Sequence, residues 1–237
     1  MVNLSNILFL DIETVSQHDS LASAPEEWQK LWQLKADNLL RYHADSNAES
    51  LYARAGIYAE FGKIICISCG VIQGGGGEKK LIIKSFSGEE EKELLQQFSE
   101  MLCKWAPNNS RYLCAHNGKE FDFPYLCRRL IIHGLKLPPC LNIAGKRPWE
   151  IPHLDTMELW KFGDFKNFTS LNLLARTLGI PTPKDDIDGS MVGDVYWKEK
   201  DLSRIITYCQ KDVITVAQVF LRLQGEELIR EDNIELK

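Results

Sequence analysis

The segment Phe9-Leu10-Asp11-Ile12-Glu13-Thr14 constrains this chain more than any other. Ile7, Leu8, Phe9 and Leu10 form a continuous apolar run, the mark of a buried strand. Two carboxylates follow, Asp11 and Glu13, one residue apart. On a strand, residues i and i+2 project to the same side. Two acids on one side of a buried strand repel each other and are poorly solvated, and a divalent cation is the natural compensation. Hard carboxylate oxygens suit Mg²⁺ or Mn²⁺. A second reading stands beside this one: the strand ends at Asp11, and Glu13 and Thr14 belong to a solvated loop. Further carboxylates elsewhere in the chain decide between them.

The chain of 237 residues suits one large core, and a single domain over 1–237 is expected. The formal net charge of −5 gives no global basic field to attract nucleic acid, but leaves room for a local basic strip. No basic, apolar leader opens the sequence, and no apolar run is long enough to span a membrane. Seven scattered cysteines fit a reducing cytoplasm better than a disulfide framework, so a cytoplasmic protein is expected. Cys66 and Cys69 lie three apart on a strand-like run, face opposite ways, and have no partner pair for a zinc site.

After the first strand comes a polar, helix-prone insertion over about 20–59. Pro25-Glu26-Glu27 reads as a helix start, and Trp28, Leu31, Trp32, Leu34 and Leu39 give it an apolar face. A second short helix covers Ala48 to Ala55, and the tryptophans are assigned to ordinary packing. Lys63–Ile72 and Lys80–Phe86 read as a hairpin with a glycine tip, Gly74 to Gly77. No Gly-Lys-Ser/Thr follows those glycines, which excludes a P-loop. A helix to Trp105 and a fourth strand over Arg111–Ala115 come next.

A turn at Asn117-Gly118 then leads into a helix over Asp122–His133, with Asp122 as its N-cap, at the strand end where ligands of α/β folds bind. A short fifth strand ends at Asp155, read as the cap of a helix over Thr156–Phe162. Ser170–Leu178 is helical and ends at Gly179. The last helix, about Lys200–Gly225, carries an apolar stripe, and Tyr208 and Asp212, four apart, stack on one edge of it. The tight hairpin forces one antiparallel partner, so the sheet is mixed and the fold class is α/β.

The order and spacing of these residues resemble the DEDD superfamily of 3′–5′ exonucleases, in its tyrosine branch. That branch includes the proofreading domain of family B DNA polymerases. The motifs are Asp11-Ile12-Glu13-Thr14, Asn117-x-x-x-Phe121-Asp122 and Tyr208-x-x-x-Asp212. The histidine branch would carry His at position 207, where this chain has Thr207. Ser170-Leu171-Asn172-Leu173-Leu174-Ala175 and Lys184-Asp185-Asp186-Ile187 add to the likeness, and the insertion over about 20–59 departs from it.

The resemblance implies a ribonuclease H-like fold with a mixed five-stranded sheet flanked by helices. It implies a stand-alone exonuclease that removes nucleoside 5′-monophosphates from single-stranded 3′ ends, DNA being favoured over RNA. It implies two Mg²⁺ (or Mn²⁺) ions, roughly 3.5–4 Å apart in such sites, held by Asp11, Glu13, Asp122 and Asp212. Tyr208 would orient the attacking water; with a pKa of about 10 a tyrosine is a poor base at neutral pH. Thr14, Asn117 and Phe121 would contact the terminal nucleotide. Lys119, Arg128, Arg129, Lys146 and Arg147 are candidates for a basic strip along the strand. The alternatives are a ribonuclease D-like exoribonuclease and a catalytically silent nucleic-acid-binding module.

Overall fold

The structure is a computed structural model, and it describes residues 3–42, 46–74, 78–107, 111–164, 166, 168–181 and 187–237. Strand β1 (Ile7–Ser16) is the spine of the sheet. It runs straight through Asp11 and Glu13, so the loop reading of Glu13 and Thr14 is set aside. It pairs antiparallel with β2 (Gly62–Gln73), which pairs antiparallel with β3 (Lys80–Ser87). On its other side it pairs parallel with β4 (Tyr112–Ala115), and β4 with β5 (Leu154–Asp155). The sheet has six strands, not five: β6 (Ile234–Leu236) adds to β3 in parallel, giving the order β5-β4-β1-β2-β3-β6. Three residues after a long helix are too short a run to show a strand period, and only the exposed edge of β3 makes them one.

Helices cover both faces. On one lie α3 (Glu91–Trp105) and α4 (Asp122–Ile132), which bury Leu94, Phe98, Leu102, Phe123 and Leu126 against Leu8, Leu10 and Ile12. On the other lies α8 (Leu202–Leu223), whose Val213, Val216, Ala217 and Phe220 pack on Ile7, Phe9, Ile72 and Leu81. Between β4 and α8 come α5 (Thr156–Lys161), α6 (Leu171–Thr177) and the single turn α7 (Val192–Asp194), which continues into a π-helical turn over Val195–Glu199. Gly70 on β2 lets α8 approach the sheet: a Cβ there would stand 3.2 Å from Val213. The glycine tip over 75–77, and Lys184-Asp185-Asp186, lie outside the described residues.

The insertion forms α1 (Glu26–Leu39) and α2 (Ala48–Tyr52). Trp32 is its anchor, fully buried, with its ring edge-on to Tyr52 and Phe61 and its indole N–H donating to the Ala48 carbonyl at 2.8 Å. The packing role assigned to the tryptophans is the one observed for Trp32. An ion pair ties this unit to the core. Arg129 on α4 donates to both oxygens of Glu91 on α3 and, at 2.7 Å, to the Ala59 carbonyl. Glu91 also accepts from the Ile64 amide of β2 at 2.7 Å.

Arg129 is thus buried in a structural pair and unavailable to a basic strip. Lys119 pairs with Glu158. Lys119 and Arg129, two of the five cations of the expected strip, are thus engaged in ion pairs.

Breaking one half of a buried pair strands the other charge. Arg129→Met is expected to lower unfolding free energy in urea by about 3 kcal/mol, with Glu91→Gln/Arg129→Met recovering part of it. A loss under 0.5 kcal/mol for the single variant would show that the pair does not anchor the insertion.

Candidate active site

The side-chain period of β1 builds the site. Ile7, Phe9, Asp11, Glu13 and Val15 alternate onto the α8 face, and the first two meet the apolar stripe of α8 while Val15 meets Ile205. Asp11 and Glu13 fall between those two apolar contacts, opposite the turn of α8 that carries Tyr208, Cys209 and Asp212. A carboxylate oxygen of Asp11, one of Glu13 and the Cys209 sulfur lie within 4.8 Å of one another.

Across the strand, Glu13 pairs with Cys66, and the register then slips by one, so that β2 bulges at Ile65. Bulges re-aim side chains beside many active sites. Here Cys66 stays beside Glu13 while Ile65 turns to the cluster around Val15.

Asp122 arrives from the other side. It is the first residue of α4, not its cap: Phe121 holds the cap position and makes no side-chain cap bond. The backbone explains why. β4 pairs with β1 only as far as Phe9, so the β1 edge beyond is open, and the Asp122 carboxylate accepts from the Ile12 N–H there. The Asp122 carboxylate is thus shared between the neighbouring strand and the first N–H of its own helix. Asp155 does act as a cap, accepting from Met157 and Glu158 of α5. It also accepts from the amides of Asn117 and Lys119, both at 3.0 Å, and so fixes the turn that leads to Asp122. Asn117 there adopts a left-handed φ of 63°.

Electrostatics follow from this crowding. Burial pushes the Asp11 carboxyl well above the carboxylate range, and Glu13, Asp212 and Asp122 push it further. Burial does the same to Glu13, with Asp212 and Cys66 adding to it. Asp122 is pushed up to about 7, by burial first. Tyr208 is raised by burial and by Asp212, Glu13 and Asp11, and its hydroxyl donates to Asp212. Oδ2 of Asp11 is buried with no hydrogen-bond partner.

A buried carboxyl oxygen without a donor, among three more acidic side chains, fits a hard divalent cation. Asp11, Glu13, Asp122 and Asp212 are the residues that would hold it.

A cleft of about 440 Å³ opens beside these groups. Glu13, Thr14 and Phe121 line it, together with Ile57 and Gly56 from the end of the insertion and Ser190 and Gly193 near α7. Thr14 and Phe121, expected substrate contacts, are therefore brought to one cleft with Glu13. Asn117 is not among its lining residues, and its side-chain oxygen is buried without a hydrogen-bond partner. Cys66, Cys209, Asp155 and Tyr125 complete the surroundings. Of these, Asp155 was marked by its capping position, whereas the thiols read as ordinary core residues in the sequence.

An α/β domain with acids at the C-terminal part of its central strand, a third on an adjoining helix start and a Tyr-x-x-x-Asp pair on a long helix defines a class of nuclease-like domain. The family model described as a predicted 3′–5′ exonuclease related to the exonuclease domain of PolB matches residues 57–232, and the chain belongs to this family. The second and third motifs lie inside that match. Asp11 and Glu13 lie before it and join the site through the geometry of β1.

A DNA polymerase of Pyrococcus glycovorans is 24% identical over 135 residues, which cover 52% of this chain and 17% of the polymerase. The solved family B DNA polymerase of Pyrobaculum calidifontis is similar over 91% of this chain and 24% of its own, at 14% identity and a TM-score of 0.49. The chain thus spans about a sixth and about a quarter of the length of these two polymerases. Among the described residues, no helix is long and apolar enough to cross a membrane.

The raised carboxyls have a thermodynamic consequence. A group that holds its proton more tightly when folded stabilises the fold below its unfolded pKa, about 4 for Asp, and loses that contribution as pH rises through the folded value. For Asp122 that window runs from about 4 to about 7. In chelator, the melting temperature of the wild type should fall relative to Asp122→Asn between pH 5 and 8, and millimolar Mg²⁺ or Mn²⁺ should restore it, much less so in Asp11→Asn. Parallel wild-type and Asp122→Asn curves, unmoved by metal, would sink the clustered-carboxylate account.

Proposed function

We propose that this domain is a metal-dependent 3′–5′ exonuclease that releases nucleoside 5′-monophosphates from single-stranded DNA 3′ ends. The observation that carries the proposal is the orphaned, buried oxygen of Asp11 among the charges of Glu13, Asp122 and Asp212, with Tyr208 beside them. Divalent ions bound there supply the positive charge that lets an anionic nucleophile approach a phosphodiester and that stabilises the leaving oxygen.

The chain's own residues set the rest. Tyr208 keeps its proton, because burial and three neighbouring carboxylates all disfavour the phenolate. Its hydroxyl donates to Asp212, which fixes the ring and leaves the phenolic oxygen to accept from a water. Tyr208 therefore orients a nucleophilic water and does not abstract its proton. Thr14 and Phe121 stand beside Glu13 in the adjoining cleft, placed to receive the terminal sugar and base. Membership of the exonuclease family and partial identity to a DNA polymerase support a nucleic-acid substrate, and the polymerase likeness favours DNA.

The test is a gel assay with 5′-labelled single-stranded DNA and RNA of the same sequence, with Mg²⁺, Mn²⁺ or chelator. A ladder shortening from the 3′ end of the DNA is expected, dependent on metal and lost in Asp11→Asn and Asp212→Asn. Tyr208→Phe should lower kcat by about 100-fold with little change in KM, as loss of positioning does. Equal degradation of both strands would overturn the DNA assignment. No ladder under any condition would overturn the enzyme and favour a binding module.

A further inference from the structure

The insertion over about 20–59 is built as a unit with its own small core. Trp32, Ala36, Leu51, Tyr52 and Ala55 pack together, and Asn47 and Ser50 form a reciprocal cap at the start of α2. The unit does not stand apart from the site. Its last turn, Ala55–Ile57, lies against the backbone of β1 immediately after Glu13. At Gly56 a Cβ would sit 3.0 Å from the Val15 backbone and 3.2 Å from the Thr14 carbonyl, so the contact requires glycine. The Gly56 carbonyl accepts from the Tyr125 hydroxyl at 2.7 Å, and the Tyr125 ring stands 5.4 Å from that of Phe121. One continuous link therefore runs from the insertion through Tyr125 to Phe121, whose carbonyl neighbour in sequence is Asp122.

Ile57 and Phe121 line the same 440 Å³ cleft. Its other large apolar residues, Ile12 and Val15, are buried, whereas Ile57 leaves 46% of its surface open and Phe121 is half-buried. The large apolar side chains offered to an occupant are thus Ile57 of the insertion and Phe121 of the second motif, with the small Ala53 beside them. The volume falls in the range of small-ligand sites, roughly 300–1,000 Å³. An aromatic face with an aliphatic partner, beside a carboxylate and a threonine, suits a flat π-system joined to a polar sugar.

We propose that the last turn of the insertion forms a wall of the terminal-nucleotide pocket, with Ile57 and Phe121 holding the 3′-terminal base. Ile57 is a positioning residue that acts on the base, not on the reacting phosphate. The proposal rests on the exonuclease reading, and its test separates the two.

Wild type, Ile57→Ala and Ile57→Leu are compared on single-stranded DNA with an ordinary 3′-terminal nucleotide and on the same strand with an abasic 3′ terminus. Ile57→Ala should raise KM about tenfold on the ordinary terminus, leave kcat within about twofold and leave the abasic terminus unaffected. Ile57→Leu should restore the wild-type KM. Equal loss on both termini, or no loss on either, overturns the proposal while the exonuclease reading stands.

If wild type cuts neither strand, that reading falls, and calorimetry with thymidine 5′-monophosphate and ribose 5-phosphate in Mn²⁺ decides the pocket. About tenfold weaker nucleotide binding by Ile57→Ala, with ribose 5-phosphate unchanged, supports it, and any other pattern, absent nucleotide binding included, overturns it. Ile57→Thr provides a second truncation should the alanine variant melt early.

Discussion

Mutual repulsion among buried carboxylates is the constraint on which the rest of this structure depends. Asp11, Glu13 and Asp122 sit where burial and one another's charge, with that of Asp212, disfavour ionisation. Left to themselves such groups would spread apart or draw in water. Asp11, Glu13 and Asp212 are held because each stands on an element whose apolar contacts lie to either side of it. β1 is fixed by Ile7 and Phe9 below the acids and by Val15 beyond them, and α8 by Val213, Val216 and Phe220 on one side and Ile205 on the other. The polar belt is a short interruption in a long apolar seam. A helix of 22 residues supplies enough packing on both sides of the interruption to hold Asp212 against the sheet.

Asp122 is held differently. Its helix begins at the residue that carries the charge, so no preceding turn of the same helix can brace it. The bracing comes from backbone groups. Asp155 collects amides from the turn before Asp122 and from the start of α5, and Asp122 takes the open Ile12 N–H of β1. Asp155 is thus not one of the four acids, yet the position of one of them depends on it. The Asn117 φ of 63° belongs to the same arrangement, since asparagine tolerates the left-handed region better than most residues.

The elements and the acids were legible in the sequence to different degrees, for physical reasons. β1, the hairpin, α3, α4 and α8 carry strong apolar periods, and their positions follow from those periods. Asp11 and Glu13 declare themselves because two acids rarely continue a buried run, and Asp155 because a cap sits at a predictable place. β6 and α7 are three residues each, too short for any period, and exist through the partners they find. Asp122 was placed correctly on the chain but given the wrong local role, since the open edge of β1 that claims it is a tertiary feature. Arg129 was misread as a strip residue for the same reason in reverse. Arg129 looks like any surface arginine until Glu91, 38 residues away, closes over it.

The thiols carry the last step. Cys66 and Cys209 border the acids from β2 and α8, and nothing in their spacing marks them as more than small core residues. A thiol is a weak donor. Cys209 is directed at the Asp11 carbonyl, at 3.4 Å, and its sulfur also borders the Asp11 carboxyl, to which it is a weak donor at most. Serine, threonine or asparagine at the same place would offer a strong donor to Oδ2 of Asp11 and satisfy it. The sulfurs fill the volume and leave that oxygen without a strong donor. A site meant to bind a cation through oxygen needs lone pairs that the protein has not already used. Weak donors around the acids keep them free, at the cost of carboxyls that hold their protons well above the ordinary range, a cost that a bound cation would remove.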